Sequence, residues 1–246
     1  MSNDFKIVIP ARYGASRLPG KPLRDVAGRP LVEWVWRCAA RVNPEQLLVA
    51  TDDERIRDVC RNFGAEVVMT DPAHPSGTDR LAEVAAIQRW PDDAVIVNLQ
   101  GDEPLTPVAN IECLVNACRQ HPEAAIATLC EPLEAEDYSN PNAVKVVRDK
   151  RGFALYFSRA SIPFARDGGV PCASRHIGLY AYRGGFLRRF TGMEVSPLEE
   201  IERLEQLRAM WHGERIFAVE APEAMGPGID TPDDLSRVTE ILKAQS

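Results

Sequence analysis

The chain has 246 residues, 45% of them apolar, enough for one large domain or a core carrying a sizeable insertion. A formal net charge of −7, from 29 basic and 36 acidic side chains, argues against non-specific nucleic-acid binding and gives a local cluster of cations more meaning. The opening apolar run is short and broken at Pro10, so no export signal is expected. No run approaches the roughly 18 apolar residues of a membrane span. The six cysteines show neither C-x-x-C nor zinc-type spacing. Cys38, Cys60, Cys113 and Cys118 fall among apolar neighbours at helical positions, as small hydrophobes do. Reduced thiols without an export signal predict a cytoplasmic protein.

Ile7-Val8-Ile9 reads as a strand buried on both faces, as in a parallel sheet, and stopping at Pro10. A loop follows that carries Gly14, Gly20, Pro19 and Pro22 together with three cations, Arg12, Arg17 and Lys21. Cations on a Gly/Pro-rich loop just past a buried strand suit a polyanion at the carboxyl edge of an α/β sheet. There, the glycines let the backbone approach phosphate and the guanidinium and ammonium groups neutralise it. It is not a Walker A loop, because five residues separate Gly14 from Gly20 and Pro22 follows Lys21.

Pro30 opens a helix with Leu31, Val35, Cys38 and Val42 at helical spacing, and Leu47 to Thr51 is a second buried strand. Asp52 or Asp53 caps the next helix, which ends at Gly64, and Glu66 to Thr70 is a third strand. This rhythm predicts a parallel sheet with helices on both sides. The run His74 to Arg80 has two readings: a helix start capped by Thr78 and Asp79, or a pocket wall for a base shaped by Ser76, Gly77 and Arg80. Ala94 to Leu99 is a continuous apolar strand leading into Gln100-Gly101-Asp102-Glu103-Pro104. That sequence is either an ordinary turn or an acid placed to hold magnesium against nucleotide phosphates.

After a helix over Pro107–Gln120 and a strand over Ala125–Cys130 the pattern changes. Val144, Val146, Ala154 and Tyr156 flank the turn Asp149–Gly152 as an antiparallel hairpin, continued by Phe157-Ser158-Arg159. A Gly/Pro-rich stretch from Ile162 to Pro171 leads to a strand over Arg175–Tyr182, so the second half predicts a mixed sheet. Leu198 to His212 reads as one amphipathic helix with Ile201, Leu204, Leu207 and Trp211 as its stripe. Ile216–Val219 is the last strand, and Thr231 with Pro232 starts a final helix.

The run IPARYGASRLPGKPL from Ile9 to Leu23 resembles the signature loop of the 3-deoxy-manno-octulosonate cytidylyltransferases, or CMP-Kdo synthetases. Segments similar to that family then recur in its order as far as Leu235: SGTDRLAEV, NLQGDEP, ALYFSRASIPF, RHIGLYAYR, LEQLR and GIDTPDDL. Asp79 departs from the glutamate more usual there.

The resemblance implies a Rossmann-like nucleotide-diphospho-sugar-transferase fold with a mostly parallel sheet and a mixed insertion. Residues 1–135 and 216–246 would form the nucleotide core, and 136–215 the sugar-binding and dimerisation part. It implies joining of Kdo to CTP for lipopolysaccharide assembly, magnesium on Asp102 and Asp230, and a homodimer. CTP would lie against Pro10, Ala11, Arg12, Arg17, Lys21, Ser76, Gly77, Arg80 and Asp102. The sugar acid would meet Gln100, His176, Tyr180, Glu205 and Gln206, with Arg159 as the cation for its carboxylate. Arg12, Arg17 and Lys21 would stabilise charge growing on pyrophosphate. The competing expectations are a CMP-8-amino-Kdo or CMP-sialic acid synthetase and, from another class, a non-catalytic nucleotide-binding regulator. Neither nucleic acid nor membrane is an expected partner.

Overall fold

The structure is a computed structural model describing residues 4–14, 18–74, 76–168 and 172–244. Strand β1 (Phe5–Ala11) leads through a 3-10 turn, Lys21–Leu23, and a small ribbon of β2 (Asp25–Val26) and β3 (Arg29–Pro30) into α1 (Leu31–Ala40). Then come β4 (Gln46–Thr51), α2 (Glu54–Asn62), β5 (Glu66–Met69), α3 (Gly77–Ile87), β6 (Val95–Asn98), α4 (Val108–Gln120) and β7 (Ile126–Pro132). The hairpin β8 (Lys145–Arg148) and β9 (Ala154–Ser158) precedes β10 (Ser174–Arg183) and α5 (Gly184–Phe190). The chain closes with α6 (Pro197–Glu202), α7 (Gln206–Trp211), β11 (Ile216–Glu220) and α8 (Pro232–Ala244).

The main sheet runs β11-β7-β10-β6-β1-β4-β5, with β8 and β9 attached beside β10. Strand β1 pairs in parallel with β4 and β6, and β11 with β7, whereas β10 is antiparallel to both of its sheet neighbours. The mixed character expected of the second half is therefore spliced into the middle of the sheet. Ile7, Val8 and Ile9 have no exposed surface, as their unbroken apolar run requires. The strand does not stop at Pro10. Pairing with β6 ends at Val8, so on that side the ring's missing N–H breaks no ladder, while Pro10 and Ala11 stay in register with Ala50 and Thr51 of β4.

Two apolar layers cover the sheet. One holds side chains of α1, α2, α4 and α8, including Val35, Ile56, Leu114 and Val238. The other holds those of α3, α5 and α7, including Leu81, Phe186 and Leu207. Strand β10 serves both layers by alternation: Ile177, Leu179 and Ala181 enter the first, while Tyr180 and Tyr182 face the second. On that second face Tyr180, Tyr182 and Phe186 stack with centroids 5.8 and 5.9 Å apart, and Phe190 extends the row.

Helix boundaries follow local chemistry. Asp53, one of the two expected caps, accepts from the Arg55 N–H at 2.9 Å. Thr231 accepts from the Asp234 N–H at the start of α8. Two expectations fail. Helix α3 is capped by Ser76, whose Oγ accepts from the Asp79 N–H at 3.1 Å, so it starts earlier and leaves the Thr78 hydroxyl free for other contacts. The single helix over Leu198–His212 is two short helices broken at Arg203, whose φ is 54°. The break lets Leu204 and Leu207 reach the core while Ile201 and Trp211 stay largely exposed, so the four residues do not form one stripe.

Candidate active site

The carboxyl ends of β1 and β6 lie side by side, with Val8 opposite Asn98. Antiparallel β10 brings Tyr180 opposite the same Asn98. The turn after β6 passes so close to β1 that a Cβ on Gly101 would sit 2.7 Å from the Pro10 carbonyl oxygen. Only glycine fits there, and the close approach sets Asp102 beside the cationic loop.

That loop is built around Tyr13 and Gly20. The Gly20 N–H donates to the Tyr13 carbonyl at 2.9 Å, its φ of 68° is in the left-handed region, and the Tyr13 ring carries the Arg55 guanidinium on its outer face. Leu18 is buried as the loop's apolar anchor. Arg12 reaches across to the His74 carbonyl at 2.8 Å and so ties the loop to the start of α3. Lys21 Nζ donates to Asp102 at 2.6 Å, to the Ile229 carbonyl at 2.9 Å and to Asp230 at 3.1 Å. Burial alone would lower the Lys21 pKa, but the two aspartates outweigh it and the pKa is raised. Arg17 lies outside the described residues.

The convergence of Asp102 and Asp230 on one cationic atom tests whether this chain can hold magnesium. Both are hard oxygen donors facing a common point, and among the described residues no third ligand completes a cage. Two carboxylates completed by substrate phosphates is the arrangement magnesium favours, so the residues fit. Neighbouring Glu103 is enclosed. Burial, with Asp102 and Asp230 adding and Lys21 opposing, pushes its carboxyl up to about 8.

Beside this edge is a cavity of about 180 Å³. Gln100, Tyr180, Glu205 and Gln206 line it, as does Gly77, among further residues from β6, α3 and α5. Its Glu205 carboxyl is raised by burial and by Asp79, against hydrogen bonds from Thr78 and Ser76 and the nearby Arg208. The break at Arg203 is what turns Glu205 and Gln206 towards the cavity while Leu204 and Leu207 enter the core. Arg208 then locks the arrangement through a two-pronged pair with Glu199, at 2.6 and 2.8 Å.

Three expected site residues are turned away from this cavity. Arg80 is fully buried in α3, its head hydrogen-bonded to Thr70 Oγ1 and 3.3 Å from Asp52. It braces the floor and does not form the expected wall. Arg159 donates to the backbone carbonyls of Glu202 and Pro141 at 2.7 and 3.0 Å, so its charge tethers the α6 loop and is not presented to a carboxylate. His176 packs edge-on against Phe157 and near Tyr180, with Nε2 3.0 Å from Thr128 Oγ1. Burial lowers its pKa to about 3, so the ring is neutral behind the Tyr180 side of the cavity. The sequence reading overlooked Thr78, Asn98, Tyr182, Phe186 and Phe190 at the cavity. A polar Asn closing the apolar run Val95-Ile96-Val97 was the one available signal.

A cationic loop and an acid pair at the carboxyl edge of a mostly parallel sheet, next to a small polar cavity, define a nucleotidyltransferase-type α/β enzyme. A cytidylyltransferase family model matches residues 6–216. The 3-deoxy-manno-octulosonate cytidylyltransferase of Pseudomonas fluorescens is 51% identical, with 99% of this chain and 100% of the relative aligned. That of Halorhodospira halophila is 52% identical over 98% and 97%. A solved CMP:2-keto-3-deoxy-manno-octonic acid synthetase, complexed with CTP, superposes with a TM-score of 0.93 at 41% identity, covering 98% of this chain and 100% of that one. The chain belongs to the 3-deoxy-manno-octulosonate cytidylyltransferase family.

Proposed function

We propose that this enzyme forms CMP-Kdo and pyrophosphate from CTP and Kdo by in-line attack of a sugar hydroxyl on the α-phosphorus, with its geometry supplied by the loop, acid pair and cavity just described. The observation that carries the reading is the meeting of Lys21, Asp102 and Asp230 at 2.6 and 3.1 Å beside a sugar-sized polar cavity. A new oxygen–phosphorus bond forms, the bond to pyrophosphate breaks, and the hydroxyl proton passes to water. Such a transfer asks the protein for positioning and charge compensation more than for covalent help. Arg12, Arg17 and Lys21 bind the triphosphate and offset the charge that grows on pyrophosphate. Pro10, Ala11, Ser76 and Gly77 shape the nucleotide side, and Gln100, Tyr180, Glu205 and Gln206 hold the sugar acid. Asp102 and Asp230 hold magnesium, which when bound polarises the α-phosphate and acidifies the attacking hydroxyl. In this reading Arg80, Arg159 and His176 support the site from behind.

The CMP-8-amino-Kdo and CMP-sialic acid readings are not favoured by the relatives, and neither is a non-catalytic regulator. Residues Leu155, Phe164 and Ile201 of the 136–215 part are 60%, 84% and 80% exposed, which supports a homodimer through that part. Cytoplasmic work is supported by free thiols at Cys38, Cys60, Cys113, Cys118, Cys130 and Cys172, and the activated sugar serves lipopolysaccharide assembly. Among the described residues no helix is long and apolar enough to cross a membrane.

The test is pyrophosphate release with CTP and magnesium, offering Kdo, 8-amino-Kdo, sialic acid and a sugar 1-phosphate in parallel. Release with Kdo above the others is expected. Binding of CTP with no release from any acceptor would overturn the catalytic reading. Light scattering of the full chain should give twice the monomer mass.

A further inference from the structure

Helix α3 is capped by Ser76, so the Thr78 hydroxyl two positions further on is not spent on its own helix. It reaches another element instead: Thr78 Oγ1 donates to Oε1 of Glu205 at the start of α7. Thr78 keeps only 3% of its surface, and both residues line the cavity. The bond joins two walls with different tasks. Ser76 and Gly77, just before Thr78, are placed above on the nucleotide side, whereas Glu205 is placed against the sugar acid.

Helix α7 does not itself fix the Glu205 carboxylate. Glu205 stands at the N-terminal end of that helix without capping it, and Arg208, three residues on, gives its guanidinium to Glu199 at 2.6 and 2.8 Å. The groups facing Glu205 are Ser76, Thr78 and Asp79 of α3, Tyr180 and Tyr182 of β10, and Arg208 of α7. Ser76 Oγ donates to Asp79 at 2.6 Å. Burial pushes both tyrosine hydroxyls up, so neither ionises near neutrality. The Tyr182 hydroxyl lies 3.2 Å from Thr78 Oγ1. With the single Thr78 proton on Glu205, Tyr182 is the donor in that contact and holds the Thr78 rotor from behind. Burial works against the charge on Glu205, and the hydrogen bond from Thr78 works for it.

We propose that Thr78 is a positioning residue for the acceptor, its hydroxyl holding the Glu205 carboxylate in one orientation on the sugar side of the cavity. This deepens the catalytic reading above and rests on it. An ionised carboxylate only accepts hydrogen bonds, which suits the hydroxyls of a sugar acid; a protonated one brings a donor of its own into the same place. Loss of the Thr78 hydroxyl frees the carboxylate to turn and removes an interaction that favours its charge. Because Thr78 acts through Glu205, the loss falls on the sugar acid and not on CTP.

The experiment measures pyrophosphate release against pH, with Kdo and CTP varied in turn, for the full chain and for Thr78→Val, Thr78→Ser, Glu205→Gln and the valine–glutamine double variant. Thr78→Val keeps the shape and removes the hydroxyl. It should lose about 10- to 100-fold in kcat/KM for Kdo, with the KM for CTP within about twofold of the parent. Thr78→Ser, which restores the hydroxyl, should recover to within about threefold. The valine loss should be greatest on the acid side. Without the hydrogen bond from Thr78 the Glu205 carboxyl takes up its proton at higher pH, so the acid limb of kcat/KM for Kdo moves up. Asp79 and Arg208 are common to both proteins and do not move it. In the Glu205→Gln background the valine should cost less than about threefold more, because no carboxylate is left to hold. Equal losses towards CTP and Kdo, an unmoved acid limb, no rescue by serine, or the full loss repeated in the Glu205→Gln background would each overturn the proposal. If the valine variant fails to fold, Thr78→Ala, which a helix accepts readily, decides on the same criteria. Absence of Kdo turnover in the parent itself would instead remove the catalytic reading, and this proposal with it.

Discussion

The neutral His176 makes a quantitative prediction about stability in acid. Burial depresses its pKa from the ordinary 6.5 to about 3, with the ring set between Phe157 and Tyr180 and bonded to Thr128. In the unfolded chain the same imidazole takes up a proton near its ordinary pKa. For a group whose folded pKa is depressed, the stabilisation is complete above the unfolded pKa and is lost as pH falls towards the folded one. Between pH 7 and pH 5 the linkage amounts to about 2 kcal/mol, and the surface His176 keeps trims this to roughly 1–2 kcal/mol. Replacing His176 with Gln removes the titration and keeps a polar group for Thr128. Urea unfolding of parent and variant at pH 7 and pH 5 gives the difference of differences, in which the carboxylates common to both proteins cancel. The parent should lose about 1–2 kcal/mol more than His176→Gln on acidification. Identical pH dependence in the two proteins would show that the imidazole is hydrated or charged in the fold, and the account of it as a dry support behind Tyr180 would fail.

Other substitutions probe the site and its frame. Lys21→Met removes the internal cation that Asp102 and Asp230 now share, so Mn²⁺ should bind the free protein more tightly by electron paramagnetic resonance. Turnover in the same variant should drop on the order of 10²–10³-fold, because the ammonium no longer meets the triphosphate. Gly101→Ala drives a Cβ to 2.7 Å from the Pro10 carbonyl, two backbones with no flexible end to yield. Thermal unfolding should show a loss of about 1–3 kcal/mol, and activity should fall with it. Glu199→Gln breaks the forked pair with Arg208, whose side chains are 13% and 9% exposed, and should cost about 3 kcal/mol in urea. An unchanged midpoint there would mean that α6 and α7 are held together by their apolar contacts alone.

The features legible in the sequence are those with a local cause. An unbroken apolar run gave β1, the Gly/Pro-rich cations gave its loop, and the cap residues gave the starts of α2 and α8. The position of Asp102 at the sheet edge was legible because its turn directly follows a buried strand, and the structure sets it 2.6 Å from Lys21. Side-chain heads were not legible, since a guanidinium can reach in many directions from one backbone position. Arg80 is fully buried beside Asp52, whereas the half-buried Arg159 turns to the carbonyls of Pro141 and Glu202. The break at Arg203 escaped periodicity because Ile201, Leu204, Leu207 and Trp211 keep helical spacing across it. Only tertiary contact separates them, by burying Leu204 and Leu207 and leaving the outer two in water. Helix α5 was missed for a related reason: Gly184 and Gly185 open it, and glycine is a poor helix former.

The placement of β10 joins these pieces into a site. No local pattern asks an antiparallel strand to lie between β6 and β7, which are far earlier in the chain, and such pairing is set by long-range contact alone. Its consequence is chemical. By entering next to β6, the strand sets Tyr180 and Tyr182 on the same face as Asn98, α3 and α7, so the later half of the chain completes a cavity whose floor the earlier half provides. The Thr78 hydroxyl of α3 meets Glu205 at the start of α7 and lies 3.2 Å from the Tyr182 hydroxyl, a contact that exists only because β10 lies beside β6. The splice therefore adds residues from the later half of the chain to the edge formed by β1 and β6.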